Sequence, residues 1–428
     1  MGPGLRLAGA TFVMLLTCRQ VSAADVYLGL QAYTAGGKPL GVGLAAFTST
    51  GNDADSVSAA NKLRSVIRED LLFTRLFSVV ENGPLPTGDK LDSLAWGAQG
   101  AQVVITGRVS LQGDQVNLEC KIYDVSSGKI LIGKQGSGLR STVRRLAHLM
   151  SDQLIFQLSG QPGIAHTRIA FVNTRTGHKE IYVMDYDGAG IRQITSFRNI
   201  TITPRWSPDG KKIAFTSYRA GNPDAYTIDA NGGNLRELSA RQGLNTAPAW
   251  SPDGDTVALT LSRGADPDIF LIDISGRIKQ RLTYVPGVDT SPTFAPNGQE
   301  IAFVSDRAGN PELYVMDNTG ANVQRLTYGQ WVDAPAWSPR GDFIAYERQR
   351  GGAQYDIYVI DPNGKSNQSI TQGEGRNEDP SWSPDGRFIA FTSNREGRRR
   401  IYVMGSDGSD PHAIGDISGE SSMPSWGP

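Results

Sequence analysis

One stretch recurs six times in the second half of this chain. Its clearest copy is Pro248-Ala249-Trp250-Ser251-Pro252-Asp253-Gly254, and the others begin at Pro204, Pro292, Pro335, Pro380 and, truncated, Pro424. Taking Trp206, Trp250, Phe294, Trp337, Trp382 and Trp426 as markers, the steps are 44, 44, 43, 45 and 44 residues. So even a period means one supersecondary unit repeated. Each unit holds an apolar run such as Ile213-Ala214-Phe215-Thr216, a turn, a second run such as Leu313-Tyr314-Val315-Met316, another turn and a short third run, and the Trp segment supplies a fourth. Four short strands linked by hairpin turns are the makings of a propeller blade.

The phase of the repeat says how the ring closes. The Ile-Ala-Phe run at Ile169 has no Trp motif before it, and the motif at Trp426 has no run after it. Met423 to Trp426 is therefore expected to return as the innermost strand of the first blade, which leaves no open sheet edge. The motif residues themselves have structural explanations. Pro, Asp and Gly suit a tight hairpin, and the Trp packs one blade on the next. Function must lie in what differs between copies.

The N-terminal part is organised differently. Residues 1–24 read as a cleaved export signal, with Arg6, an apolar Leu7 to Leu16 stretch too short to span a bilayer, and small residues at Val21-Ser22-Ala23-Ala24. A lipoprotein signal using Cys18 is disfavoured by Thr17 before it. Once the signal leaves, Cys120 is the one remaining cysteine and is expected to be a buried small hydrophobe. Residues 25–160 mix strands with two amphipathic helices, Ser56 to Phe73 (apolar at Val57, Ala60, Leu63, Ile67 and Leu71) and Ser141 to Leu158, and read as a small α/β domain. Residues 161–428 then form the propeller. The fold class is thus a multidomain chain, an α/β domain followed by an all-β six-bladed propeller.

Forty-two basic against 43 acidic residues leave no field suited to nucleic acid, and no other stretch is long and apolar enough for membrane insertion. The innermost strands begin at segments that vary between blades and approach the mouth of the central channel. Thr201, Thr203, Asn245, Thr246, Ala247, Asp289, Thr290, Ser291, Asp333, Glu378 and Asp379 are the candidate partner-binding residues there. The rim carboxylates suit a basic partner strand or a cation, while each Asp can also cap its own turn. A second acidic series, Glu180, Asp224, Asp268, Glu312 and Asp356, is regular enough to be structural and is expected to pair with arginines of the preceding turns, Arg219, Arg263 or Arg307. Arg398-Arg399-Arg400 reads as a solvated charge run.

The signal, the Gly41-Val42-Gly43-Leu44-Ala45-Ala46-Phe47 run before the first helix, the six-fold Trp-Ser-Pro-Asp-Gly repeat and the Pro-Ser-Trp-Gly-Pro end together resemble the TolB family, the periplasmic components of bacterial Tol-Pal systems. The resemblance implies a non-enzymatic adaptor in the periplasm. It implies that the propeller binds the peptidoglycan-associated lipoprotein Pal, and that the mature N-terminal segment, here Asp25, Val26, Tyr27 and Leu28, binds TolA. It further implies support of outer-membrane integrity and of constriction at cell division, and a propeller face that some colicins exploit. No cofactor is expected, and a calcium ion in the channel stays open.

The competing class is an enzyme. No Gly-Xaa-Ser-Xaa-Gly elbow occurs, and His148, His166, His178 and His412 fall in no metal-ligand spacing. The alternative kept is a periplasmic propeller enzyme or sugar-binding protein using the channel carboxylates.

Overall fold

The computed structural model describes residues 38–262 and 266–428. The signal, the Asp25 to Leu28 segment and Arg263 lie outside them. The described chain divides into two compact units, with the boundary between His166 and Thr167.

The first unit is built on a mixed sheet of β1 (Leu40–Leu44), β2 (Thr48–Ser49), β3 (Phe77–Val80), β4 (Val103–Gln112), β5 (Gln115–Asp124) and β6 (Ile130–Leu139), with main order β3-β1-β4-β5-β6. β1 runs parallel to β3 and β4, and β4 to β6 form an antiparallel meander. Helices α1 (Ala54–Phe73) and α3 (Val143–Ser159) cover one face, and a short α2 (Ser93–Gly97) follows β3 in the chain. Asp53 caps α1 by accepting from the Ser56 amide at 2.9 Å. The predicted stripe Ala60, Leu63, Ile67 and Leu71 is buried, but Val57 is exposed and Val66 takes its place in the core. Cys120 lies in that core, and burial pushes its thiol up, so it is an inert packing residue.

In the second unit six four-stranded antiparallel sheets form the ring. Blade 1 is mixed: its inner strand Ser421–Gly427 pairs with Arg168–Asn173, so the chain end closes the circle as expected. The inner strands of blades 2 to 6 are Thr201–Trp206, Asn245–Trp250, Asp289–Phe294, Val332–Trp337 and Asn377–Trp382. The Ser-Pro-Asp-Gly segments are hairpins. In the first, Ser207 Oγ donates to Asp209 at 2.7 Å and accepts from the Lys212 amide at 2.9 Å, and Gly210 takes a φ of +65°. Apolar clusters bridge neighbours, as where Ala170, Ile181 and Val183 of blade 1 pack with Trp206, Ile213 and Phe215 of blade 2. Two of the tryptophans also bond across blades, Trp250 Nε1 donating to the Arg205 carbonyl at 3.2 Å and Trp382 Nε1 to the Ala336 carbonyl at 3.0 Å.

Removing residues 423–428 takes away the inner strand of blade 1 together with Trp426, which is buried and donates to Thr167 at 2.8 Å. Losing a buried Trp alone costs about 3–5 kcal/mol. A chain ending at Ser422 is expected to melt well below the full chain, and unchanged thermal melting would contradict closure by this strand.

Candidate functional site: the inner channel

The inner strand of every blade is kinked at one place. Thr203, Ala247, Ser291, Ala334, Asp379 and Met423, each just before the motif proline, have φ between +49° and +53°. Pairing with the next strand shifts register there, from Ile202 to Arg205 in blade 2 and equivalently in the others. None is a glycine, so each residue carries backbone strain that the rest of the ring must hold.

Around these kinks the polar groups join blade to blade. Thr203 donates to Thr216 at 3.0 Å, and Thr216 and Thr246 share a hydrogen bond of 3.1 Å from blade 2 to blade 3. Thr260 donates to Thr290 at 3.3 Å, and Ser291 to Asp333 at 2.8 Å. The Asp379 amide donates to Glu347 at 2.9 Å, and the Met423 amide to Thr392 at 3.0 Å and Asp379 at 3.2 Å. The Trp206 amide donates to Ser425 at 3.3 Å and completes the circle. Most of the channel residues picked out from sequence are thus engaged in holding the blades together.

A second group sits at the first residue of the inner strand and is fully buried. Thr201 bonds Ser217, and Asn245 accepts from Ser239 and donates to the Arg241 carbonyl. Asp289 takes both its bonds from one Arg307 nitrogen, at 2.9 and 3.0 Å, and has no exposed surface. It anchors blade 4 rather than offering a free carboxylate at the rim. Glu378 is held by Arg376 at 2.5 Å and Arg399 at 3.0 Å, so the basic run of blade 6 is engaged within the ring rather than simply solvated.

The second acidic series is buried, not exposed, and its partners differ from those expected. Asp268 and Glu312 pair with Arg281 and Arg325 of the strand that follows, at 2.6 and 3.0 Å. Glu180, Asp268, Glu312 and Asp356 each also accept from a threonine of that segment (Thr195, Thr283, Thr327, Thr371). The hydroxyls in turn accept from a backbone amide of the acid's own strand, locking the outer edge of the blade. Arg307 is taken by Asp289, and Arg219 stacks on Phe197 and Tyr226. Among the described residues, Asp356 is the acid of this series that pairs with its preceding turn, through Arg350 at 3.3 Å.

Blade 5 departs from the pattern, through a residue the sequence reading passed over. Asp333 lies directly opposite Glu347 in register, where other blades place pairs such as Thr246 and Thr260. Like charges in that position repel. Burial pushes the Glu347 carboxyl well above its ordinary value of 4.5, with Asp379 and Asp333 adding to it. Burial also raises Asp333, against hydrogen bonds from Ala334 and Ser291. Burial lowers the Arg205 guanidinium, which Asp379 and Asp333 partly restore. The signal that would have found Glu347 is a charged residue where the other runs carry Thr or Val. Among the described residues no three His, Cys, Asp or Glu side chains converge closely enough to hold a metal ion by themselves. Residues of all six blades, among them Trp206, Trp250, Phe294, Trp337, Trp382 and Trp426, surround a cavity of about 370 Å³.

The class this architecture defines is a two-domain propeller protein, an α/β domain followed by a ring of six blades closed by its last strand. Residues 156–428 match the TolB beta propeller domain and residues 33–131 the TolB amino-terminal domain. The chain belongs to the TolB family. It is 36% identical over 161 residues to the Tol-Pal system protein TolB of Syntrophotalea carbinolica, a stretch covering 36% of this chain and 37% of that protein. It is 34% identical over 232 residues to a TolB homolog of Chlorobium luteolum, half of each chain. The crystal structure of TolB from Acinetobacter baumannii superposes with a TM-score of 0.79 at 27% identity, covering 91% of this chain and 97% of that one.

Two outcomes follow from this geometry. Arg307→Ala leaves Asp289 buried without its counter-charge and is expected to cost about 3–5 kcal/mol in urea unfolding. Glu347 ionises more readily in the unfolded chain than in the folded one, so it takes stability away as pH rises from the unfolded value through the folded one. Glu347→Gln is therefore expected to melt above wild type by a margin that grows as pH rises from the ordinary carboxylate range toward neutrality. A constant difference in melting temperature across that range would contradict the assignment.

Proposed function

We propose that this chain is a non-enzymatic periplasmic adaptor of a Tol-Pal system. In this reading the propeller binds Pal and the segment Asp25 to Leu28 binds TolA, supporting outer-membrane integrity and constriction during division. The observation that carries it is the family match in both domains, with a superposition onto a TolB structure that covers nearly the whole chain. The channel supports the same reading, because most of its polar groups, the blade 5 carboxyls apart, are engaged in joining blades. No helix among the described residues is long and apolar enough to cross a membrane, which is compatible with a periplasmic location.

The test is recovery of partners from detergent-solubilised envelopes by the chain starting at Asp25. Pal is expected in the eluate, and TolA is expected to be lost when residues 25–28 are deleted. Recovery of neither protein, together with turnover of an envelope polysaccharide that Asp333→Asn abolishes, would replace the adaptor reading with the enzymatic one.

A further inference from the structure

Just before each inner strand the chain crosses one face of the ring, and four consecutive blades place an apolar side chain there. These are Ile200, Leu244, Val288 and Trp331, all exposed, and Trp331 is 52% exposed. Blades 6 and 1 end the series with Arg376 and Glu420. Exposed apolar side chains at one position of four neighbouring blades mark a contact site more readily than single scattered ones do.

Two tyrosines widen the middle of the arc. Arg281-Leu282-Thr283-Tyr284 and Arg325-Leu326-Thr327-Tyr328 are copies of one tetrapeptide, leading into blades 4 and 5. In both, the guanidinium lies 4.6 Å from the ring centroid. In both, the tyrosine hydroxyl donates to the carbonyl of the same arginine, at 2.9 and 3.2 Å. The arginines are themselves fixed on Asp268 and Glu312. The rings are nevertheless 66% and 70% exposed. Each is held still with most of its surface facing water, so a partner that covers it loses little side-chain freedom. Aromatic anchors of this kind are where interface energy concentrates.

Charge gives the chemistry of the occupant. Two residues on from Trp331 the chain has entered the channel at Asp333, opposite Glu347, which accepts from the Asp379 amide. The Arg205 guanidinium acts on both Asp333 and Asp379, so two carboxyls share one cation.

We propose that this face docks a protein segment in which apolar side chains flank a lysine or arginine. The apolar groups lie on Tyr284, Val288, Tyr328 and Trp331, and the cation points into the channel toward Asp333 and Asp379. The proposal rests on the reading of the propeller as the partner-binding part and names the chemistry of that contact. The carboxyls of Asp333 and Glu347 in blade 5 and of Asp379 in blade 6 are then a specificity device, since they reject an acidic segment at the same place.

The experiment is calorimetric titration of the chain from Asp25 with the soluble domain of Pal. The variants are Tyr284→Ala with Tyr328→Ala, Trp331→Ala, and Ile274→Ala as a control. Ile274 is equally exposed but lies in a hairpin beside Pro252 and Asp253 of the motif turns. The tyrosine double variant and Trp331→Ala are each expected to weaken binding about tenfold or more, with unchanged melting, and the control by less than about twofold. Asp333→Asn, which keeps an acceptor for Ser291, is expected to weaken binding severalfold and flatten its salt dependence. Wild-type affinity in the arc variants would overturn the proposal and leave the Pal reading intact. Tighter binding by Asp333→Asn would show an incoming anion and overturn the charge assignment. No binding by wild type would remove the Pal reading and the proposal with it, as would capture of soluble peptidoglycan fragments, instead of protein, that the tyrosine variant loses.

Discussion

Everything in the propeller depends on a kink repeated six times, a residue at positive φ immediately before the motif proline. The proline cannot donate a hydrogen bond, and the kinked residue before it drops one step of the register with the next strand. What the strand loses in regular pairing it returns as side chains and amides turned toward the neighbouring blade. Each junction is then crossed by at least one hydrogen bond near the axis, and apolar contacts or an indole bridge blades further out. The strain at any one kink is small against the stability of the ring, but no kink persists without its neighbours. That coupling is why the last strand, a few residues long, matters to all six blades.

The same economy explains which polar residues are free to work. The acids of the outer series are spent on threonines and arginines of their own blades, and Asp289 and Glu378 on arginines close by. Blade 5 is the exception, since Asp333 and Glu347 oppose each other without a basic residue between them. Against acids paired in this way in the neighbouring blades, this place is conspicuous. The neighbouring loops show the same contrast in apolar terms, because Tyr284 and Tyr328 are pinned yet uncovered.

Blade number, strand order and closure were legible in the sequence because they follow from a period and its phase. The 44-residue steps and the unmatched ends at Ile169 and Trp426 admit one ring. Partner choice within the blades was not legible. Glu312 sits near the turn arginine Arg307 in sequence, yet the antiparallel register brings Arg325 of the following strand onto it, as Arg281 lies on Asp268. Asp289 reads as a turn cap until Arg307, on a later hairpin, folds back onto it. Val57 fits the helical stripe by spacing, but it falls in the first turn of α1, where the core has not yet been reached. The family resemblance anticipated the two domains, while the inner belt of hydrogen bonds and the role of Glu347 came only from the geometry.

The central claim is that the ring is a rigid platform with one working face. Hydrogen–deuterium exchange of the chain with and without the soluble domain of Pal tests it most directly. The account predicts new protection in the segments 284–288 and 328–331, with the motif hairpins at 207–210 and 251–254 unchanged. Protection confined to those hairpins, or spread evenly over all blades, would contradict it.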